Sequence, residues 1–241
     1  MLLLDIGNSR IKAARATPAG LVALPTRGHQ GDAAGALAAL DDGGERGAIW
    51  ISHVLGTAAE AALGEAVQAR WRQAPHYARS STECAGLRNA YREPERLGVD
   101  RWLVMLAAWT TQRRAAIVVD AGTALTADVI DANGLHQGGL IAAGLLTAQR
   151  GVLGATRFAT RDTAAAYDGG LGHDTEACVR QGAMLSCLGA IDRAAAWAGP
   201  DAYRCITGGD AATLLPHLAA GWEHRPLLVL EGLRVLASQP G

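Results

Sequence analysis

Apolar residues recur along this chain in two rhythms, and the alternation between them predicts its elements. Short apolar runs closed by Gly, Asn or Asp read as strands, and longer stretches with apolar positions three and four apart read as helices. The first half opens on an apolar run, Leu2-Leu-Leu-Asp5-Ile6, turns at Gly7-Asn8-Ser9, and returns along Ile11–Ala16. A third strand is expected at Leu21–Leu24, a helix near Asp32–Leu40, a strand at Ala48–Ser52 and a helix over Thr57–Trp71. The second half starts again with strands at Ala115–Val119, Ala124–Ile130 and about Leu135–Gln137. Helices near Ala142–Leu153 and Thr175–Trp197, a strand at Ala202–Thr207, and helices near Ala211–Ala219 and Leu228–Ala237 follow. One further helix, Trp102–Trp109, begins after a loop punctuated by Pro94 and Gly98.

Each half therefore opens on the same device. Leu2-Leu-Leu-Asp5-Ile-Gly7-Asn8-Ser9 is matched by Ile117-Val-Val-Asp120-Ala-Gly122-Thr123-Ala124. A strand, an Asp-x-Gly turn and a returning strand also make an ordinary hairpin. The same geometry lets backbone N–H groups approach an anion while the Asp carboxylates hold a cation. An internal duplication of mixed sheets with intervening helices predicts an α/β protein of two lobes, 1–112 and 113–241, with a ligand cleft between the paired turns.

Composition fits that picture. The chain has 241 residues, 49% hydrophobic and 19% charged, with a formal net charge of -1, which excludes the strongly basic surface of a nucleic-acid binder. The opening Met-Leu-Leu-Leu run is cut short at Asp5, and no apolar run approaches the roughly 20 residues of a membrane span. A cytoplasmic protein without membrane or nucleic-acid partners is expected. Cys84, Cys178, Cys187 and Cys205 lack metal-site spacing and read as reduced, mostly buried thiols. His53 and His173 read as incidental.

Two further features carry chemistry. Lys12 is the only lysine, every other basic residue besides histidine being arginine, so a compact ammonium stands one strand from the first turn, where it can lie beside a phosphate or simply face solvent. Between the halves, Asn89-Ala-Tyr91-Arg-Glu-Pro94-Glu-Arg-Leu-Gly98-Val99-Asp100-Arg101 is dense in functional groups. Asp100 can cap the helix that follows or take a proton from a substrate hydroxyl. Arg101 can grip an anion bidentately.

Taken in order, Asp5-x-Gly-Asn-Ser-x-x-Lys12, Asn89-Ala-Tyr-x-x-Pro-x-x-Leu-Gly-x-Asp-Arg101, Asp120-x-Gly-Thr-Ala-x-Thr-x-Asp128, Gly138-Gly-x-Ile141 and Thr207-Gly-Gly209 resemble the successive motifs of type III pantothenate kinases. That family belongs to the acetate and sugar kinase, Hsp70 and actin superfamily, so the resemblance implies two actin-like (ribonuclease H-like) lobes. It implies ATP phosphates on Asp5, Ile6, Gly7, Asn8, Ser9, Arg10, Ile11, Lys12 and Thr123, and adenosine near Thr207, Gly208 and Gly209. It implies a monovalent cation, K⁺ or NH₄⁺, on Asp120, and Mg²⁺ with the ATP. Asp100 becomes the general base acting on pantothenate, which Tyr91, Gly98, Val99, Asp100, Arg101 and Thr175 hold, and the product is 4′-phosphopantothenate. A homodimer is implied as well.

The chain departs from the family pattern with Ser9 for threonine, Ala143 for proline in what reads as a loop from Gly138 to Gly144, and Asp174 for asparagine beside Thr175. A sugar or acetate kinase of the same superfamily would lack the 91–101 segment. A regulatory or accessory relative would be expected to have lost its base, whereas Asp100, Asp5 and Asp120 are all present. A nucleotide- or polyphosphate-hydrolysing relative stays open.

Overall fold

The computed structural model describes residues 1–42, 44, 47–156 and 167–239. The chain divides into two compact units, one made of Met1–Thr111 with Leu227–Gly241 and the other of Gln112–Pro226. The last helix, drawn with the second lobe from the sequence, therefore belongs to the first.

The first unit is built on strands β1 (Leu2–Ile6), β2 (Arg10–Thr17), β3 (Gly20–Ala23), β4 (Arg27–Gly28), β5 (Ile49–His53) and β6 (His76–Tyr77). Their order is β3-β2-β1-β5-β6, with β4 added alongside β2. β1 runs antiparallel to β2 and parallel to β5. Leu2, Leu4, Ile6, Ile11, Ala13, Ile49 and Ile51 alternate onto one face, where Leu37 of helix α1 (Ala33–Ala38) and Leu63 and Val67 of α2 (Thr57–Trp71) complete a core. A small hairpin of β7 (Glu83–Cys84) and β8 (Leu87–Arg88) precedes a 3₁₀ turn at Pro94–Arg96 and helix α3 (Val99–Gln112). α3 is buried at every position from Arg101 to Trp109, as expected of a helix apolar all round.

The second unit repeats the plan. Strands β9 (Ala116–Ala121), β10 (Ala124–Ile130), β11 (His136–Ala143), β12 (Tyr203–Thr207) and β13 (Trp222–His224) are ordered β11-β10-β9-β12-β13, antiparallel from β9 to β11 and parallel from β9 to β13. Helices α4 (Leu145–Ala155) and α5 (Thr175–Ala198) pack against each other, with α6 (Ala211–Leu214) and a 3₁₀ turn at Leu215–His217 beyond β12. Ile117, Val119, Leu125, Ala127 and Ile206 form the core with Met184, Leu188 and Ile191 of α5. Gly138–Ala143, read as a loop running into a helix, is the body of β11, and α4 starts only at Leu145. Helix α7 (Leu228–Ala237) then returns to the first unit and packs on β1, β2 and β5. Among the described residues no helix is long and apolar enough to cross a membrane.

Candidate active site

In the first unit the turn Gly7-Asn8-Ser9 joins β1 to β2 and is closed by the Gly7 N–H donating to the Arg10 carbonyl at 3.0 Å. Asn8, Ser9 and Arg10 are exposed at its apex. Asp5 stands opposite Lys12 across the antiparallel ladder and beside Ser52 across the parallel one. Residues in register share a face, so carboxylate, ammonium and hydroxyl line up on the side of the sheet away from α1 and α2. The Ser52 hydroxyl is buried without a hydrogen-bond partner among the described residues.

The matching turn of the second unit, Gly122-Thr123, joins β9 to β10 with the same design in two residues. The loop is one residue shorter, so Thr126, not the seventh residue along, stands opposite Asp120, while Thr207 is in register on the parallel side. Both threonine hydroxyls are buried and lack a partner among the described residues. The turn is braced from outside. Thr123 offers its carbonyl to the Gly144 N–H at 3.1 Å and the Thr147 hydroxyl at 2.6 Å, and the Asp210 N–H donates to the Ala121 carbonyl at 2.8 Å. Gly208, at φ +97°, fits because a Cβ there would lie 2.2 Å from the Ala121 carbonyl oxygen and 2.5 Å from an Asp120 carboxylate oxygen. Asp128 is fully buried and taken up by His136 Nε2 at 3.0 Å.

The segment before α3 is organised by Asn89. Its amide donates to the Ser81 and Pro94 carbonyls, both at 3.2 Å, and its carbonyl accepts the Tyr91 N–H at 3.0 Å. Arg101 is buried, and its Nη1 donates to the Tyr91 hydroxyl at 2.8 Å with the guanidinium 5.8 Å from the ring centre. Asp100 lies within the first turn of α3 instead of capping it from outside, and its Oδ1 accepts the Arg101 N–H at 2.8 Å. Its rotamer needs a glycine at 98, where a Cβ would sit 2.7 Å from that oxygen.

Thr175 opens α5 and lines a cavity of about 760 Å³ in the second unit together with Ala148, Val152, Val179 and Ser186. Asp174 is the helix cap, accepting the Ala177 N–H at 2.7 Å. Burial pushes the Cys84 and Cys187 thiols up, with the Asp210 charge adding to the effect at Cys187, so neither is an activated nucleophile. Cys187 and Cys205 are buried as expected, whereas Cys178 is exposed. His53 is tied to Glu60 at 3.1 Å, and Arg79 grips that carboxylate at 2.7 and 2.8 Å. Among the described residues no three His, Cys, Asp or Glu side chains cluster as metal ligands.

The structure thus groups Asp5 with Lys12, Tyr91 with Gly98, Asp100 and Arg101, and Asp120 with Thr123, Thr207 and Gly208. Thr175 is at the start of α5 in the second unit. Ser52, His29, Asn89, Gly144 and Thr147 were missed by sequence reasoning. Asn89 does open a quoted motif and Gly144 closes the loop read from Gly138, whereas an isolated Ser, Thr or His gives no periodic signal.

The fold is α/β, with two actin-like units of mixed sheets flanked by helices. A conserved Baf family protein from Campylobacter jejuni superposes with a TM-score of 0.62 at 21% identity, over 98% of each chain. The activator of 2-hydroxyisocaproyl-CoA dehydratase from Clostridium difficile, with bound ADPNP, gives 0.50 at 10% identity over 98% of this chain and 93% of that one. Residues 1–196 match the type III pantothenate kinase family model. Type III pantothenate kinases from Nitrosococcus oceani and Thiobacillus denitrificans are 36% and 35% identical to the chain, over 98% and 100% of it and 93% and 97% of their own lengths. One from Xanthomonas campestris is 38% identical over 98% of the chain and 96% of its own length. The chain belongs to the type III pantothenate kinase family, whose members are kinases with a hydroxyl acceptor.

Proposed function

We propose that the protein transfers the γ-phosphoryl group of ATP to the primary hydroxyl of pantothenate, giving 4′-phosphopantothenate at the start of coenzyme A synthesis. One observation carries the reading. A half-buried carboxylate, Asp100, adjoins a buried guanidinium, Arg101, that is locked to the Tyr91 hydroxyl at 2.8 Å. Pantothenate presents a carboxylate and an alcohol, and this pair suits both: Arg101, held in place, binds the anion, while Asp100 accepts the hydroxyl proton as attack begins.

The remaining residues divide the work. Tyr91, Gly98, Val99 and Thr175 orient pantothenate. Asp5 to Lys12 and Thr123 bind the phosphates through turn amides and the Lys12 point charge, and Thr207-Gly208-Gly209 lies on the adenosine side. Oxygen ligands suit a monovalent cation at Asp120, where two buried hydroxyls, Thr126 and Thr207, have no protein partner among the described residues. A Mg²⁺ ion bound with the ATP would offset charge on the transferring group. The donor being ATP, the enzyme works in the cytoplasm. Two copies associate in this reading, supported by exposed Leu146 and Val152 on α4 and Leu185 and Trp197 on α5. Sedimentation as a monomer would remove that part.

Mass spectrometry after incubation with ATP, Mg²⁺, K⁺ and pantothenate tests the reaction. Phosphopantothenate should form with the parent protein and fall at least about a hundredfold in rate with Asp100→Asn. ATP consumed without phosphopantothenate would instead indicate hydrolysis, and no turnover at all an accessory binding role.

A further inference from the structure

The short strand β4 and the residues after it wrap the first turn. Its pairing with β2 sets Gly28 against Arg10, and the next residue, His29, is 5% exposed and hydrogen-bonded on four sides. Its backbone N–H donates to the Ser9 carbonyl at 3.1 Å and its own carbonyl accepts the Asp32 N–H at 2.7 Å. Its ring Nδ1 accepts the Gly31 N–H at 3.2 Å, and Nε2 lies 2.9 Å from the Gly7 carbonyl oxygen. With Nδ1 occupied as an acceptor, the proton sits on Nε2 and is donated to Gly7. The Gly31 amide reaches the ring only because the backbone enters the left-handed region at Gln30 (φ 45°) and Gly31 (φ 95°), so the contact is built at a conformational cost.

We propose that His29 is a positioning residue for the phosphate-binding turn. In a trans peptide the carbonyl and the following N–H point in opposite directions. Fixing the Gly7 carbonyl on His29 therefore aims the Asn8 N–H the other way, toward the exposed side of the turn, and holds it there before any anion arrives. A preset amide spends none of its binding free energy on reorientation. The inference rests on the proposed function only in assigning the turn to a nucleotide's phosphates.

Calorimetric titration of the full-length protein with Mg²⁺·ATP, without pantothenate, tests it. In His29→Asn the side-chain oxygen can still accept the Gly31 N–H, but nothing reaches Gly7. In His29→Gln the longer amide can donate to Gly7. His29→Asn should weaken ATP binding by about tenfold, the loss of roughly one hydrogen bond, and leave adenosine binding and the thermal midpoint near those of the parent. His29→Gln should restore ATP binding to within about threefold. Equal weakening by both variants, equal loss for ATP and adenosine, or a parent that binds no ATP would overturn the assignment. A parent that binds ATP yet leaves pantothenate untouched would overturn the proposed reaction while the His29 comparison still stands.

Discussion

Two aspartates, one in each unit, share a neighbourhood more specific than a turn requires. Asp5 has Lys12 and Ser52 in register beside it, and Asp120 has Thr126 and Thr207. The duplication thus extends to the polar residues on both flanks, with an ammonium in one copy where the other carries a hydroxyl. At Asp100 the controlling neighbour is a glycine. Gly98→Ala would place a methyl 2.7 Å from the Asp100 carboxylate oxygen, and because that oxygen ends a side chain able to rotate, the fold should survive. The base should not stay in place. A displacement of about 1 Å costs on the order of a hundredfold in turnover, so kcat should fall by about that factor with the thermal midpoint unchanged. An unchanged kcat would show that Asp100 tolerates the move. The candidate residues could be read from the sequence because Asp-x-Gly between apolar runs repeats. Their bracing could not, because the Thr147 hydroxyl and the His29 ring reach the turns from 24 and 22 residues away.

Among the elements, the long ones matched their periodicity. β1, α2 and α5 lie where apolar runs and helical spacing put them, with α2 at Thr57–Trp71 as expected. The misses are short elements and sheet edges. β4 and β6 have two residues each, too few for a pattern, and β11 was cut short because Gly138-Gly139 looks like a turn while serving as strand. Packing of helix on helix gives a stability test. A Cβ at Gly232 of α7 would lie 1.9 Å from the Leu103 carbonyl oxygen of α3, backbone that cannot rotate aside. Gly232→Ala should therefore destabilise the first unit by about 3 kcal/mol, measured by urea unfolding.

After α1, Asp42 supplies a pH test. Burial pushes its carboxyl up, but the Trp71 and Gly44 N–H groups and the Arg70 guanidinium outweigh this and hold it below its ordinary 3.8. The Trp71 indole donates at 2.6 Å. A carboxyl lowered on folding releases its proton more readily in the native state. Its stabilisation is complete above about pH 3.8 and disappears as pH falls through the lower native value. Urea midpoints from pH 5 down to about 2 should show this loss for the parent and a flatter curve for Asp42→Asn. Identical curves would remove Asp42 from the acid response.

At the scale of the molecule, two five-strand orders of the same kind, antiparallel on one side of the central strand and parallel on the other, account for the duplicated sequence. What the sequence pattern could not reveal was the membership of α7. Its amphipathic spacing identifies a face to be buried, formed by Leu228, Val229, Leu230 and Leu233, but a period carries no information on which sheet receives it. Removing residues 227–241 should expose β1 and β5, lowering hydrogen-exchange protection across the first unit while leaving β9, β10 and β12 protected. Equal loss in both units would show that they unfold as one.

The discontinuous first unit also fixes an order of assembly on the ribosome. Its strands are synthesised first, yet one of the helices that cover them, α7, is made only after every element of the second unit. Residues 112–226 form an uninterrupted stretch that can close on itself while the earlier strands still wait. The half made second is complete first, and until α7 emerges the face of β1 turned away from α1 and α2 stays without the helix that covers it.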